Sequence, residues 1–111
     1  MAELFNVAEI ESGRAASGKL YREFLRVPAM SAGLYVLPAG SRDPQQPHAE
    51  DEIYYVLRGR ARMKSGEREF EVAAGGVIFV PAREPHHFFD IREELALLVV
   101  FAPAEGKEPT R

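Results

Sequence analysis

The sequence predicts an all-β fold, closed as a sandwich or barrel. Short runs rich in valine, isoleucine, leucine, tyrosine and phenylalanine alternate with glycine and proline at near-even spacing, which is typical of such folds. Almost nowhere does an apolar period of 3.6 residues persist for three turns. We expect one short helical turn, at residues 7–12.

Most of the predicted strands are bounded by residues that favour tight turns. The strands are residues 20–27, 31–37, 53–57, 60–64, 67–72, 77–80, 86–91 and 95–101. The breaks at 38–40, 58–59, 65–66, 75–76 and 81–83 contain glycine or proline. Because these residues preset or tolerate turn conformations, each break is expected to be a turn.

Composition limits the chemistry of the chain. Its 111 residues fit one domain, and 46% hydrophobic residues is ordinary for a packed core. The chain has no cysteine, which excludes thiolate zinc sites, iron–sulfur clusters and cysteine nucleophiles. A metal would have to be held by imidazole, carboxylate or amide oxygen.

Charge and hydropathy indicate the expected partners and location. Fourteen basic and seventeen acidic residues give a net charge of −3, and the arginines are scattered among acids. Nucleic acid is therefore not expected as a partner. The longest apolar run, residues 95–104, is about half of what a membrane span needs. Residues 1–14 lack the apolar centre of a signal peptide, so we expect a cytoplasmic protein that does not bind membranes.

Two motifs combine glycine with side chains that bind metals. The first runs Gly40, five residues, Gln46, one residue, His48, three residues, Glu52, six residues, Gly59. The second runs Gly75, five residues, Pro81, one residue, Arg83, two residues, His86, three residues, Asp90. Fifteen residues separate the two motifs.

These spacings resemble the two conserved motifs of the cupin family of small jelly-roll barrels. The resemblance covers residues 30–102 and implies a single-domain cupin jelly-roll β-barrel. It gives a cupin domain at 30–102, preceded by an N-terminal arm and strand at 1–29. Residues 103–111 have no apolar pattern and are expected to form a flexible tail. The arm includes an alternating edge strand that a second subunit could cover, so we expect a homodimer.

The resemblance also implies a metal site. His48, Glu52 and His86 fall on ligand positions of the motifs, whereas Gln46 replaces a histidine. They predict one divalent ion per chain, either Fe, Mn, Zn or Ni, in a 2-His-1-carboxylate set that leaves coordination positions open. Gln46 is expected either to ligate the ion weakly or to orient a ligand. The competing hypothesis is a degenerate cupin that keeps the three side chains as a hydrogen-bonded triad.

Other positions carry weaker expectations. Arg83 occupies a glycine position, so we expect the turn to be altered there; its side chain either binds a substrate carboxylate at the barrel mouth or is solvated. Asp90 replaces an asparagine and is interpreted as structural. His87 should face outward because side chains alternate along a strand. Glu50 is expected to be solvated.

Alternation also predicts a substrate pocket. If Glu52 faces inward, then Tyr54 and Val56 on the same strand face inward as well. If His86 faces inward, then so do Phe88 and Asp90. An apolar, aromatic cavity of this kind suits a small organic ligand.

The leading functional hypothesis is a mononuclear non-haem dioxygenase acting on a small aromatic or acidic molecule, with Glu52 as both ligand and catalytic group. A non-catalytic metal- or metabolite-binding module competes with it. Two further alternatives rank below these. One is metal-dependent isomerase or lyase chemistry, and the other is a metal-free sugar-nucleotide isomerase.

Overall fold

One helix precedes six strands in the computed structural model, which describes residues 1–44 and 47–106. In chain order the elements are α1 (Val7–Ser17), β1 (Tyr21–Val27), β2 (Met30–Leu37), β3 (Asp51–Ser65), β4 (Arg68–Ala73), β5 (Val77–Val80) and β6 (His86–Ala102). Among the described residues, no helix is long and apolar enough to cross a membrane.

The strands form one antiparallel sheet in the order β1-β2-β6-β3-β4, with β5 paired to β3. Its inner face holds a core whose largest side chains are almost fully buried, and these include Tyr35, Tyr54, Phe88, Leu97 and Phe101. Burial alternates along β3 and β5, as expected for strands with one face on a core. The all-β prediction is confirmed.

Two predicted breaks lie inside continuous strands. The predicted strands at 53–57 and 60–64 are both parts of β3, and those at 86–91 and 95–101 are both parts of β6. Gly59 has φ +105, and a Cβ placed on it would lie 2.3 Å from the carbonyl oxygen of Glu94. Gly59 therefore marks a bulge where β6 approaches closely, and the expected turn there is wrong.

β3 and β6 pair along nearly their whole lengths, and this two-stranded ribbon is curled. Glu52 lies opposite Phe101 at one end of the ribbon, and His86 lies opposite Ser65 at the other. The register shifts at three places between Val56 and Arg62. Such irregularities bend strands, and the bend lets the two ends of the ribbon meet.

α1 is longer than the predicted turn at residues 7–12. Asn6 caps its first turn by accepting a hydrogen bond from the backbone N–H of Glu9, and Gly18 ends it in the left-handed conformation. Ile10 packs against a small apolar cluster on β2 and β6. Arg58 of β3 forms an ion pair with Glu11, and their hydrogen bond lowers the pKa of Glu11. The helix is thus attached to the outside of the sheet.

Candidate metal site

His48, Glu52 and His86 come together at one end of the barrel. Each offers one ligand atom, and these atoms lie within 4.8 Å of one another. His48 lies in the segment before β3, Glu52 near the start of β3 and His86 at the start of β6. The side chains of Glu52 and His86 are each 1% exposed. The structure therefore brings together the three side chains that the motifs singled out.

Hydrogen bonds fix the ring of His86. Its Nδ1 lies 2.8 Å from the carbonyl oxygen of Glu84, and a carbonyl can only accept, so Nδ1 carries a proton. Its Nε2 lies 3.1 Å from both Glu52 Oε1 and the Tyr54 hydroxyl. Burial lowers the pKa of His86, but the hydrogen bonds with Glu52 and Glu84 raise it by more, so it lies above the ordinary 6.5.

His48 is in contact with a residue that the sequence did not single out. Its Nδ1 lies 3.1 Å from Glu105 Oε2, and the two side chains are 9% and 3% exposed. Glu105 belongs to residues 103–106, which we call the C-terminal strap. The sequence placed these residues in a flexible tail because they have no apolar pattern, yet they lie against the barrel. Residues 107–111 lie outside the described part.

Backbone contacts tie the second motif to the first. The N–H of Arg83 donates to the carbonyl oxygen of His48 at 2.6 Å, and the N–H of Ala82 donates to Asp51 Oδ1 at 2.9 Å. Arg83 has φ +67, the conformation that glycine favours. The arginine itself thus adopts the backbone conformation that a glycine at this motif position would favour. Its side chain is exposed.

Asp43 is a second residue that sequence patterns did not reveal. It is 8% exposed, accepts the Tyr35 hydroxyl at 2.5 Å and accepts the backbone N–H of Phe88 at 2.9 Å. These bonds connect the loop before His48 to β2 and β6. Asp43 stands in a segment without strand or helix periodicity, so no pattern could give the direction of its side chain.

An open pocket of about 400 Å³ adjoins His86. The residues around it include Asp43, Pro47, Lys64, Pro85 and His87.

Tyr54, Val56 and Phe88 were predicted to line a pocket, and all three point inward. They are 0%, 0% and 1% exposed and belong to the packed core. Phe88 also borders a second pocket, of about 310 Å³. Contact of the three with a substrate stays a prediction.

Two expectations about side-chain direction are wrong, and one is met. Asp90 is exposed rather than inward, because its φ of +49 interrupts the alternation and Ile91 takes the inward position. Glu50 is 9% exposed rather than solvated, and it accepts the backbone N–H of Gly106 at 3.0 Å. His87 is exposed, as expected. Gln46 lies outside the described residues.

The donor set fits a divalent ion. Two imidazoles and one carboxylate suit zinc, iron, manganese and nickel, and the single carboxylate leaves positive charge for a substrate oxygen. Since Nδ1 of His86 is engaged with a carbonyl, its Nε2, which faces Glu52, is the nitrogen that could bind an ion. Orientation of a metal-binding histidine by a hydrogen bond at its far nitrogen is common in metalloproteins.

Two known proteins are similar to this chain over most of its length. An uncharacterized Streptomyces coelicolor protein, SCO3923, is 48% identical over 102 residues, which cover 92% of this chain and 97% of that protein. The structure of TT1209 from Thermus thermophilus is 26% identical with a TM-score of 0.74, and the match covers 93% of this chain and 99% of that one.

The fold and family follow from two further matches. An RmlC-like cupin protein with a double-stranded β-helix fold, from Methanocaldococcus jannaschii, superposes with a TM-score of 0.68 at 18% identity, covering 75% of this chain and 78% of that one. The barrel is thus the jelly roll that the motifs implied. The family model of the cupin domain matches residues 33–101. The chain therefore belongs to the cupin family.

Proposed function

We propose that this cupin binds one divalent metal ion through His48, Glu52 and His86 and uses it to act on a small organic molecule. The observation that carries the proposal is the convergence of three ligand atoms to within 4.8 Å of one another. A buried carboxylate and imidazole are costly to maintain unless they are paired or bind a metal. Gln46 is proposed as a further weak ligand or as a residue that orients one.

The reaction class that best suits the ligands is dioxygenation of a small aromatic or acidic substrate. Bound there, iron would supply O₂ activation, and manganese, nickel or zinc would supply Lewis-acid chemistry suited to isomerase or lyase reactions. Glu52 would neutralise one charge of the ion and, as the catalytic group, accept a proton from the substrate. The pocket beside His86 is where a substrate would bind under this proposal, and Lys64 on its wall would attract a substrate carboxylate.

A non-catalytic metal- or metabolite-binding module is the second candidate. The packing of Tyr54, Val56 and Phe88 favours it, because side chains that are 0–1% exposed leave little room for a substrate inside the barrel. In that case Tyr54 and Phe88 are core residues, and the exposed side chain of Arg83 is solvated.

Metal analysis of the purified protein tests the proposal. The parent should contain close to one divalent ion per chain, and His48→Ala/His86→Ala should contain almost none. His87→Ala is the matched control, because His87 is an exposed neighbour of His86 on the same strand, and it should keep the metal of the parent. Absence of metal from the parent after reconstitution with Fe(II), Mn(II), Ni(II) and Zn(II) would contradict the proposal. Oxygen uptake by the iron-loaded protein with a panel of aromatic and acidic substrates then separates the two candidates.

We further propose a homodimer and a cytoplasmic location. β1 is one end of the sheet order, so a second copy could pair with its outer edge. A second candidate interface is an apolar surface on the outer faces of β3 and β5. There Ile53 is paired with Phe79 and Tyr55 with Val77, and all four are exposed. Sedimentation velocity should show a dimer that Phe79→Lys leaves intact. A monomeric parent contradicts the proposal, and dissociation by Phe79→Lys moves the interface to the second surface.

A further inference from the structure

The carboxylate of Glu105 is buried against Nδ1 of His48. Glu105 Oε2 lies 3.1 Å from His48 Nδ1, and the Glu105 side chain is 3% exposed. Burying a carboxylate is costly unless it is paired and hydrogen-bonded. Its position beside a ring nitrogen of a proposed ligand histidine therefore calls for an explanation.

The C-terminal strap fixes where this carboxylate lies. The backbone N–H of Glu105 donates to Ser31 Oγ at 2.9 Å, and the N–H of Gly106 donates to Glu50 Oε2 at 3.0 Å. Arg26 of β1 donates to the carbonyl oxygens of Glu105 and Gly106. The strap is thus anchored on both sides of the Glu105 backbone, which is the arrangement expected of a residue that must be held in place.

Resting on the proposed function, we propose that Glu105 is a positioning residue for the metal site. Its carboxylate accepts the Nδ1–H of His48, which puts the lone pair of that ring on Nε2, the nitrogen that would then ligate the ion. In the same way the Glu84 carbonyl accepts from Nδ1 of His86. The two ligand histidines therefore differ, because a neutral carbonyl holds His86 and a carboxylate holds His48. A carboxylate raises the basicity of the imidazole it contacts and so strengthens its bond to a metal.

Metal affinity gives the first test. We compare Zn(II) and Mn(II) affinities of the parent, Glu105→Gln, Glu105→Ala and Ser31→Ala by competition with a chelator. Loss of such an outer partner typically weakens metal binding by about 10–100-fold, which we expect for Glu105→Ala. Glu105→Gln keeps an acceptor oxygen without its charge and should fall between Glu105→Ala and the parent. Ser31→Ala removes a strap hydrogen bond but keeps the carboxylate, so it should stay within a few-fold of the parent.

The tautomer of His48 in the metal-free protein gives a second test that does not depend on metal. Ring nitrogen NMR in alkaline buffer, where imidazole is neutral, should show His48 protonated at Nδ1 in the parent and in Glu105→Gln. Glu105→Ala should show loss of this preference. If Glu105→Ala does not fold, the parent and Glu105→Gln still provide both readouts.

The outcomes separate this proposal from the proposed function. A parent that binds no metal but shows the Nδ1–H tautomer contradicts the metal site and leaves the Glu105 contact in place. A parent that binds metal while His48 is protonated at Nε2 in the metal-free state overturns the role of Glu105. Equal metal affinities in the parent and Glu105→Gln, or an equal loss in Ser31→Ala and Glu105→Gln, overturn it as well.

Discussion

Replacing Gly59 by alanine is expected to destabilise the protein by about 4 kcal/mol, because two costs of about 1–3 kcal/mol each add together. The first is conformational, since φ is +105 at this position. The second is steric, because the new Cβ would lie 2.3 Å from the Glu94 carbonyl oxygen and 2.7 Å from Leu95 Cα. Both obstacles are backbone atoms, which cannot move aside as a flexible side chain can. A loss of this size is a large part of the stability of an ordinary domain.

Gly75→Ala is the matched control for this prediction. Gly75 also has a positive φ, +91, but a Cβ there would meet nothing within 4 Å. It should therefore carry the conformational cost alone, and urea unfolding should separate the two variants by about 1–3 kcal/mol. Equal losses in the two variants would show that β6 does not approach Gly59 as closely as the structure indicates.

Phe101→Ala should lower the free energy of unfolding by about 3–5 kcal/mol, the usual loss for removing a buried phenylalanine ring. Phe101 is 0% exposed and lies in the main core. Its ring also packs edge-on against His48, with the ring centroids 4.9 Å apart. Loss of the ring should therefore loosen a proposed metal ligand as well as the core.

Leu97→Ala separates these two effects. Leu97 is also 0% exposed and lies on the same strand, and leucine-to-alanine changes in a core cost about 2–5 kcal/mol. Denaturant unfolding should show large losses in both variants, whereas chelator competition on the folded proteins should show weaker metal binding in Phe101→Ala alone. Unchanged metal affinity in Phe101→Ala would mean that the ring does not help to hold His48.

The clustering of the three proposed ligands was predictable because its signal is local. His48 and Glu52 share one motif, and His86 stands in another whose spacing is equally regular. Strand positions were also predictable where burial alternates, as it does along β5 and much of β3. Prediction failed at Gly59, where a glycine marks a bulge inside a strand instead of a turn.

The remaining errors concern residues whose direction is set by distant contacts. Asp90 breaks the alternation through a positive φ that no sequence pattern announced. Glu50 and Glu105 are ordinary acidic residues in polar segments. Only the folded chain shows that Glu50 contacts the C-terminal strap and that Glu105, within the strap, contacts His48. Asp43 is buried by Tyr35 and by the Phe88 backbone, both distant in sequence. Tertiary contacts of this kind leave no periodic signal.

Because the ribbon of β3 and β6 is curled, a bound ion would have a further effect on the chain. Glu52 and His86 stand at opposite ends of that ribbon, so an ion held by both would cross-link the chain and close the loop of residues 52–86. Cross-links that close long loops limit the freedom of the unfolded chain. The sequence has no cysteine, so the ion would stabilise the folded chain much as a disulfide does. Its removal would free the two ends of the curled ribbon from each other, where Glu52 and His86 meet.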